Sequence, residues 1–245
     1  MNVNDIVTIS QGALPIMNPT TPEKLLAAGK AAGWNNASRI IDVGSGNGTT
    51  LALWGEAYGI SGVGLELRES ACGQARGLLA EAGLADRIEV LCTDAAAYIS
   101  ETPFDGASCI GASHIWNGFE PALHAMLDLV HDDGAIIMGD RYWRHDRVPA
   151  EFAREWSSVP TEYEILGTAR DAGLDLAAVL RASEDDWDRY ESGIWQSLLA
   201  WLSANPDHPE REEIAGYFRR LQEEYFGYGR EYMGWAIYVF VPGIW

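Results

Sequence analysis

The chain has 245 residues, 47% of them hydrophobic and 22% charged, a composition that rules out a disordered or fibrous protein. Its 17 basic and 36 acidic residues give a formal charge of −19, which argues against nonspecific binding to DNA, RNA or anionic membranes. Such binding needs Lys and Arg to neutralise phosphate, and Lys24 and Lys30 are the only lysines.

Residues 1–12 show no basic region followed by an apolar run, so no signal peptide is expected. No stretch approaches the roughly 20 apolar residues of a membrane helix, and no stable membrane association is expected. Cys72, Cys92 and Cys109 are scattered without a C-x-x-C pair, so neither structural zinc nor a disulfide framework is indicated. A cytoplasmic, metal-free protein is the expectation.

Short β-rich runs alternate with helical ones, the pattern of a parallel sheet covered by helices. Thr21 caps a helix opened by Pro22, which runs to about Ala32 and stops at Gly33. Strands are predicted over 39–43, 61–67, 88–92, 104–111 and 135–140, the last after the turn Asp132-Asp133-Gly134. Helices are predicted over 49–58, 70–82, 121–129 and 161–172, with a short helical turn over 95–99. Residues 175–181 form a candidate sixth strand and 234–241 a closing one.

Between those last two strands the pattern changes. Trp187, Tyr190, Ile194, Leu198 and Trp201 recur at helical spacing, as do Ile214, Tyr217, Leu221 and Tyr225. Residues 184–231 therefore read as a helical insertion, either a lid over the sheet's ligand end or an extension of the core. The segment holds 12 acidic and 5 basic residues, a poor platform for nucleic acid.

The strongest local signal is Ile40-Ile41-Asp42-Val43-Gly44-Ser45-Gly46-Asn47-Gly48, a glycine loop between a buried strand and a helix. Missing Cβ atoms let such a backbone turn tightly and approach a ligand. The spacing is G-x-G-x-G rather than the G-x-G-x-x-G of dinucleotide loops. Asp42, two residues before the first glycine, repels a pyrophosphate and suits a cationic ligand. Glu66 ends the second strand, where a carboxylate can accept bonds from both ribose hydroxyls. Asp94 follows the third strand and is equally suited to cap a helix.

In these features the chain resembles the class I S-adenosylmethionine-dependent methyltransferases. The resemblance covers about residues 21–182 and, less closely, the final strand. It implies an α/β, Rossmann-like sandwich whose mostly parallel seven-stranded sheet ends in an antiparallel strand. It divides the chain into a donor-binding domain, residues 1–183 and 232–245, and the insertion 184–231. The cofactor implied is S-adenosyl-L-methionine, held by Asp42, Gly44, Ser45, Gly46, Gly48, Glu66, Leu67, Asp94, Ala95 and Ile110. Residues 17–20, before the first helix, would fold over it.

The acceptor implied is a small molecule, because an Asn-Pro-Pro-Tyr type motif does not follow the fourth strand. His114 is a base, a substrate anchor or an ordinary loop histidine; its usual pKa of about 6.5 suits proton transfer near neutrality. Tyr142 and Trp143, after the fifth strand, either wall the acceptor or pack under the insertion. Arg141, Arg144 and Arg147 either grip a substrate carboxylate or lie solvated. The protein partner expected is a second copy of the chain, in a homodimer. A nicotinamide-dependent oxidoreductase, a non-catalytic donor binder and a lipid-modifying enzyme of the cyclopropane-forming kind are the rivals.

Overall fold

The computed structural model describes residues 3–244. The first half alternates strand and helix in β1 (Arg39–Val43), α3 (Thr49–Tyr58), β2 (Ser61–Glu66), α4 (Glu69–Glu81), β3 (Ile88–Cys92) and β4 (Phe104–Ile110). It is preceded by α1 (Val3–Gln11) and α2 (Pro22–Ala31). The second half adds α5 (Phe119–Leu127), β5 (Val130–Trp143), α6 (Ala150–Glu155), α7 (Glu162–Asp171), β6 (Leu174–Arg181), α8 (Glu184–Ala204), α9 (Arg211–Glu224) and β7 (Met233–Pro242).

The strands form one sheet in the order β3-β2-β1-β4-β5-β7-β6. Every pair is parallel except those of β7, which runs antiparallel between β5 and β6. The strand order reverses between β1 and β4, so their C-terminal ends diverge around a crevice, where open α/β sheets place ligands.

Pleating sends alternate residues of each strand to opposite faces. Ile40, Ile110, Ile137 and Ile237 join the core that contains Leu25, Leu51 and Cys72 from α2, α3 and α4. Ile41, Ala107, Met138 and Tyr238 join the one built on Leu123 of α5 and Ile165 of α7. Fully buried Trp54 sets its ring edge-on to Trp34, 4.7 Å between centroids, and donates from its indole to the Leu25 carbonyl at 2.8 Å. Removing a side chain of that size from a packed core costs about 3–5 kcal/mol.

Local chemistry fixes the helix ends. Thr21 accepts from the Lys24 amide at 3.3 Å, and Gly33, with φ +73°, follows the last turn of α2. Ser183 and Asp186 form a reciprocal capping box that starts α8.

Three features depart from the sequence reading. Helix α1 was not anticipated, although Ile6 and Ile9 pack against the core. The short α6 was also missed. Strand β5 is far longer than 135–140, because β7 pairs with it as far as Trp143. The turn at 132–134 survives inside that strand as an irregularity, where β5 advances by five positions, from 130 to 135, while β4 advances by two.

Helices α8 and α9 lie between β6 and β7 in the chain. The apolar stripe of α8 merges with the core on the α2 and α3 face, so these helices share one continuous core with the sheet. Lys24 of α2 pairs with the buried Asp186 of α8, fixing the start of that helix.

Candidate active site

The loop after β1 uses its glycines for two different jobs. Gly44, Gly46 and Gly48 all have left-handed φ, +70°, +57° and +80°, which L side chains adopt only with strain. A Cβ on Gly48 would come within 2.8 Å of the Ala75 Cβ, so this glycine lets α3 and α4 approach each other. A Cβ on Gly46 would face the Met17 sulfur at 3.1 Å, inside the crevice.

Strand ends bring acids to the same place. Asp42, 3% exposed, accepts a 2.6 Å bond from the Ser108 hydroxyl of β4. Burial pushes its carboxyl up to about 7, the Ser108 bond opposes the rise, and the Glu66 carboxylate adds to it. Glu66, at the end of β2, accepts from the Gly46 amide at 3.0 Å and from the Arg68 amide at 2.8 Å. The Arg68 guanidinium also binds it at 3.0 Å. Asp94 accepts from the Ala96 amide at 2.9 Å and so caps a single 3₁₀ turn over Ala95–Ala97. Asp140, on β5, accepts from the Ser113 hydroxyl and from the Arg141 amide.

A strap from the N-terminal side closes over this arrangement. Asn47 donates to the Leu14 carbonyl at 2.9 Å, and Thr49 donates to that of Pro15 at 2.7 Å. Asn18 donates to the Ile110 carbonyl at 3.1 Å. Gly111 is required beside it, because a Cβ there would lie 2.1 Å from the Asn18 side-chain oxygen. Gln11 of α1 reaches the Tyr190 hydroxyl of α8 at 3.1 Å, and Gly193 leaves room for Leu14.

Together these elements enclose a cavity of about 330 Å³ at the ends of β1, β2, β4 and β5. Of the residues singled out in the sequence, Asp42, Gly44, Ser45, Gly46, Glu66, Leu67, Asp94, Ala95, Ile110 and His114 line it. Met17, Asn18 and Pro19 line it as well. Gly48 does not, for the packing reason given above.

Tyr142 does not reach the cavity either. It is 7% exposed and belongs to the α5 and α7 side of the sheet, since pleating points it opposite to Arg141. Trp143 packs edge-on against Phe152 of α6. Two other β5 residues line the cavity: Arg141, and Asp140, which shares Tyr142's face of the sheet but lies nearer the ends of β1 and β4. Arg144 donates to the Arg230 carbonyl at 3.3 Å.

A second, smaller cavity of about 130 Å³ adjoins the first under α8 and α9. Gln11, Arg141, Trp187 and Tyr190 line both. Among the described residues, no group of three His, Cys, Asp or Glu side chains could hold a metal, and no helix is long and apolar enough to cross a membrane.

Known proteins share this arrangement. A family model described as a methyltransferase domain matches residues 40–134, the segment carrying the glycine loop, Glu66 and Asp94. The crystal structure of an S-adenosylmethionine-dependent methyltransferase from Geobacter sulfurreducens, in complex with S-adenosyl-L-homocysteine, is 32% identical, with a TM-score of 0.90 over 97% of this chain and 98% of that one. The chain belongs to the S-adenosylmethionine-dependent methyltransferases.

A second such enzyme, from Thiobacillus denitrificans and again in complex with S-adenosyl-L-homocysteine, is 32% identical over 99% of this chain and 100% of its own, with a TM-score of 0.90. The uncharacterised protein YjhP of Escherichia coli is 31% identical over 98% of this chain and 99% of its own. Its crystal structure gives a TM-score of 0.91. The sheet order and the antiparallel β7 agree with the Rossmann-like methyltransferase fold expected from the sequence.

The residues of this methyltransferase fit its cofactor. Asp42, Glu66, Asp94 and Asp140 line one cavity, a ring of carboxyls suited to a ligand carrying sulfonium and ammonium charges. The Ser45 hydroxyl is buried without a hydrogen-bond partner among the described residues. Leu67, 57% exposed at the cavity rim, offers an apolar face to a planar base.

Proposed function

We propose that this methyltransferase moves the methyl group of S-adenosyl-L-methionine to a small-molecule acceptor. The donor would be held by Asp42, Gly44, Ser45, Gly46, Glu66, Leu67, Asp94, Ala95 and Ile110. The observation that carries the reading is the convergence of acids from β1, β2, β3 and β5 on one strapped cavity that continues beneath α8 and α9.

Bound S-adenosyl-L-methionine supplies a methyl group on a positively charged sulfur, already activated for displacement. The chain's part is therefore to position, to exclude water and to receive a proton where the acceptor carries one. Glu66 holds the ribose hydroxyls with charge-assisted bonds. Both its oxygens already accept from the chain, so the hydroxyls take the place of the Arg68 guanidinium while the Gly46 and Arg68 amides stay bound. The strap at 14–18 and α8 shield the reacting atoms from water. His114, exposed on a 3₁₀ turn at the cavity rim, is the group available to take a proton from the acceptor.

Calorimetry with S-adenosyl-L-homocysteine and with NAD tests the donor assignment. The first should bind and the second should not. NAD binding without S-adenosyl-L-homocysteine binding would overturn it. Release of S-adenosyl-L-homocysteine from S-adenosyl-L-methionine, followed by mass spectrometry across pooled small molecules, tests turnover; binding without any methylated product would reduce the protein to a donor binder.

A further inference from the structure

The smaller cavity has a chemistry of its own. It is bounded by α8, α9, the Trp156 side chain, the start of β7 and a π-helical turn over Tyr225–Gly229. Such turns widen a helix locally and recur at functional sites. Glu191 of α8 lines the cavity and is 9% exposed. Burial pushes its carboxyl up to about 7, and the Arg141 guanidinium on the same wall opposes the rise. A carboxyl taken out of water is compensated either by a proton or by an opposing charge, and a cation bound beside it would supply the second.

Its neighbours narrow what that something is. Glu224 of α9 lines the same cavity, half-buried. Trp187, Tyr190, Tyr217 and Tyr225 supply the aromatic surface. Arg141 is the single cation on the wall, and its guanidinium is stacked 4.6 Å above the Trp156 ring. Burial pushes both carboxyls up while Arg141 opposes the rise, so a cation bound between the aromatic faces gains by holding them ionised. An anionic ligand would meet both carboxyls; an uncharged one would leave Glu191 to be compensated by a proton.

We propose that this cavity is the acceptor's subsite and takes a small organic ammonium, its positive group set against Glu191 and Glu224 between aromatic rings. The assignment of the ligand class rests on the methyltransferase reading only in calling that ligand the acceptor. Gln11, Arg141, Trp187 and Tyr190, shared by both cavities, join the ammonium's site to the place of methyl transfer.

Choline and its uncharged carbon isostere 3,3-dimethylbutan-1-ol test it by calorimetry, with S-adenosyl-L-homocysteine saturating the donor cavity. Choline should bind at least about tenfold more tightly than the isostere, the scale of a desolvated cation against aromatic faces and a carboxylate. Glu191→Gln should shrink that preference by at least about threefold, and adding Glu224→Gln should leave only the part owed to the aromatic faces. Equal binding of the pair to wild type, or a choline preference left unchanged by Glu191→Gln, overturns the proposal. S-Adenosyl-L-homocysteine binding on the same samples shows whether the variant is folded; should it fail, the wild-type comparison alone decides. Should wild type not bind S-adenosyl-L-homocysteine, the donor reading fails, and the choline comparison without it still decides the ammonium site.

Discussion

The two adjoining cavities are built by different means. The larger one is made of strand ends and the loops that leave them, so its parts are close in sequence to a pattern the backbone imposes. Its glycines, Asp42, Glu66 and Asp94 stand where three successive β-strands stop. The smaller one is made of side chains from α1, β5, α8, α9 and a π-turn, segments separated by up to about two hundred residues. A ligand common to a family can be met by backbone geometry that every member repeats. A cavity lined by side chains of separate helices depends on how those helices pack, and the smaller one is of that kind.

The largest expected effect probes the packing glycine rather than either cavity. Gly48→Ala combines a left-handed residue with a Cβ driven against Ala75, and should lower stability by about 2–4 kcal/mol. Thermal denaturation reads this, while donor affinity of the folded fraction should stay within about twofold. Loss of affinity without loss of stability would return Gly48 to the donor's cradle.

Next comes Glu66→Ala, which should weaken S-adenosyl-L-homocysteine by about 1.5–3 kcal/mol, as for lost charge-assisted hydrogen bonds. Choline binding in the smaller cavity should be unaffected. Unchanged S-adenosyl-L-homocysteine affinity would remove the ribose contact from the reading; a loss in both cavities would blur the division between them.

A third test is pH. Folding raises the Asp42 carboxyl from 3.8 to about 7, so its contribution to stability is present at low pH and fades as pH rises through that value. A cationic donor favours the carboxylate, so binding should expel a proton. Affinity for S-adenosyl-L-methionine should therefore rise about three- to tenfold between pH 6 and pH 8. In Asp42→Asn that slope should flatten, and a slope that persists would place the titrating group elsewhere. The smallest effect is expected for Tyr142→Phe, on the far face of the sheet. It should change donor affinity by less than about twofold, and a larger change would reconnect that face to the site.

Much of the fold was legible because its signals are local. The boundaries of β1 and β3 follow from apolar, β-branched runs ended by glycines or turns, and α3 is flanked by Gly48 and Gly59. The fold class follows from their alternation with helices. Helix α1 was missed because only Ile6, Val7 and Ile9 hint at a face, and the surface they meet lies on distant segments. The length of β5 was missed because Arg141, Tyr142 and Trp143 look like a loop until β7 pairs with them. That pairing also decides which of the three faces the site, since the pleat sends Arg141 inward and Tyr142 away.

Sequence alone determined the sheet, the glycine loop and the acids at successive strand ends, because spacing along a strand and the conformational freedom of glycine are local properties. Only tertiary structure decided that Arg68 sits on Glu66, that Gly48 serves packing, and that Glu191 is buried facing a second cavity. Those outcomes depend on which helix covers which face, and burial is a property of the assembled core rather than of any one segment.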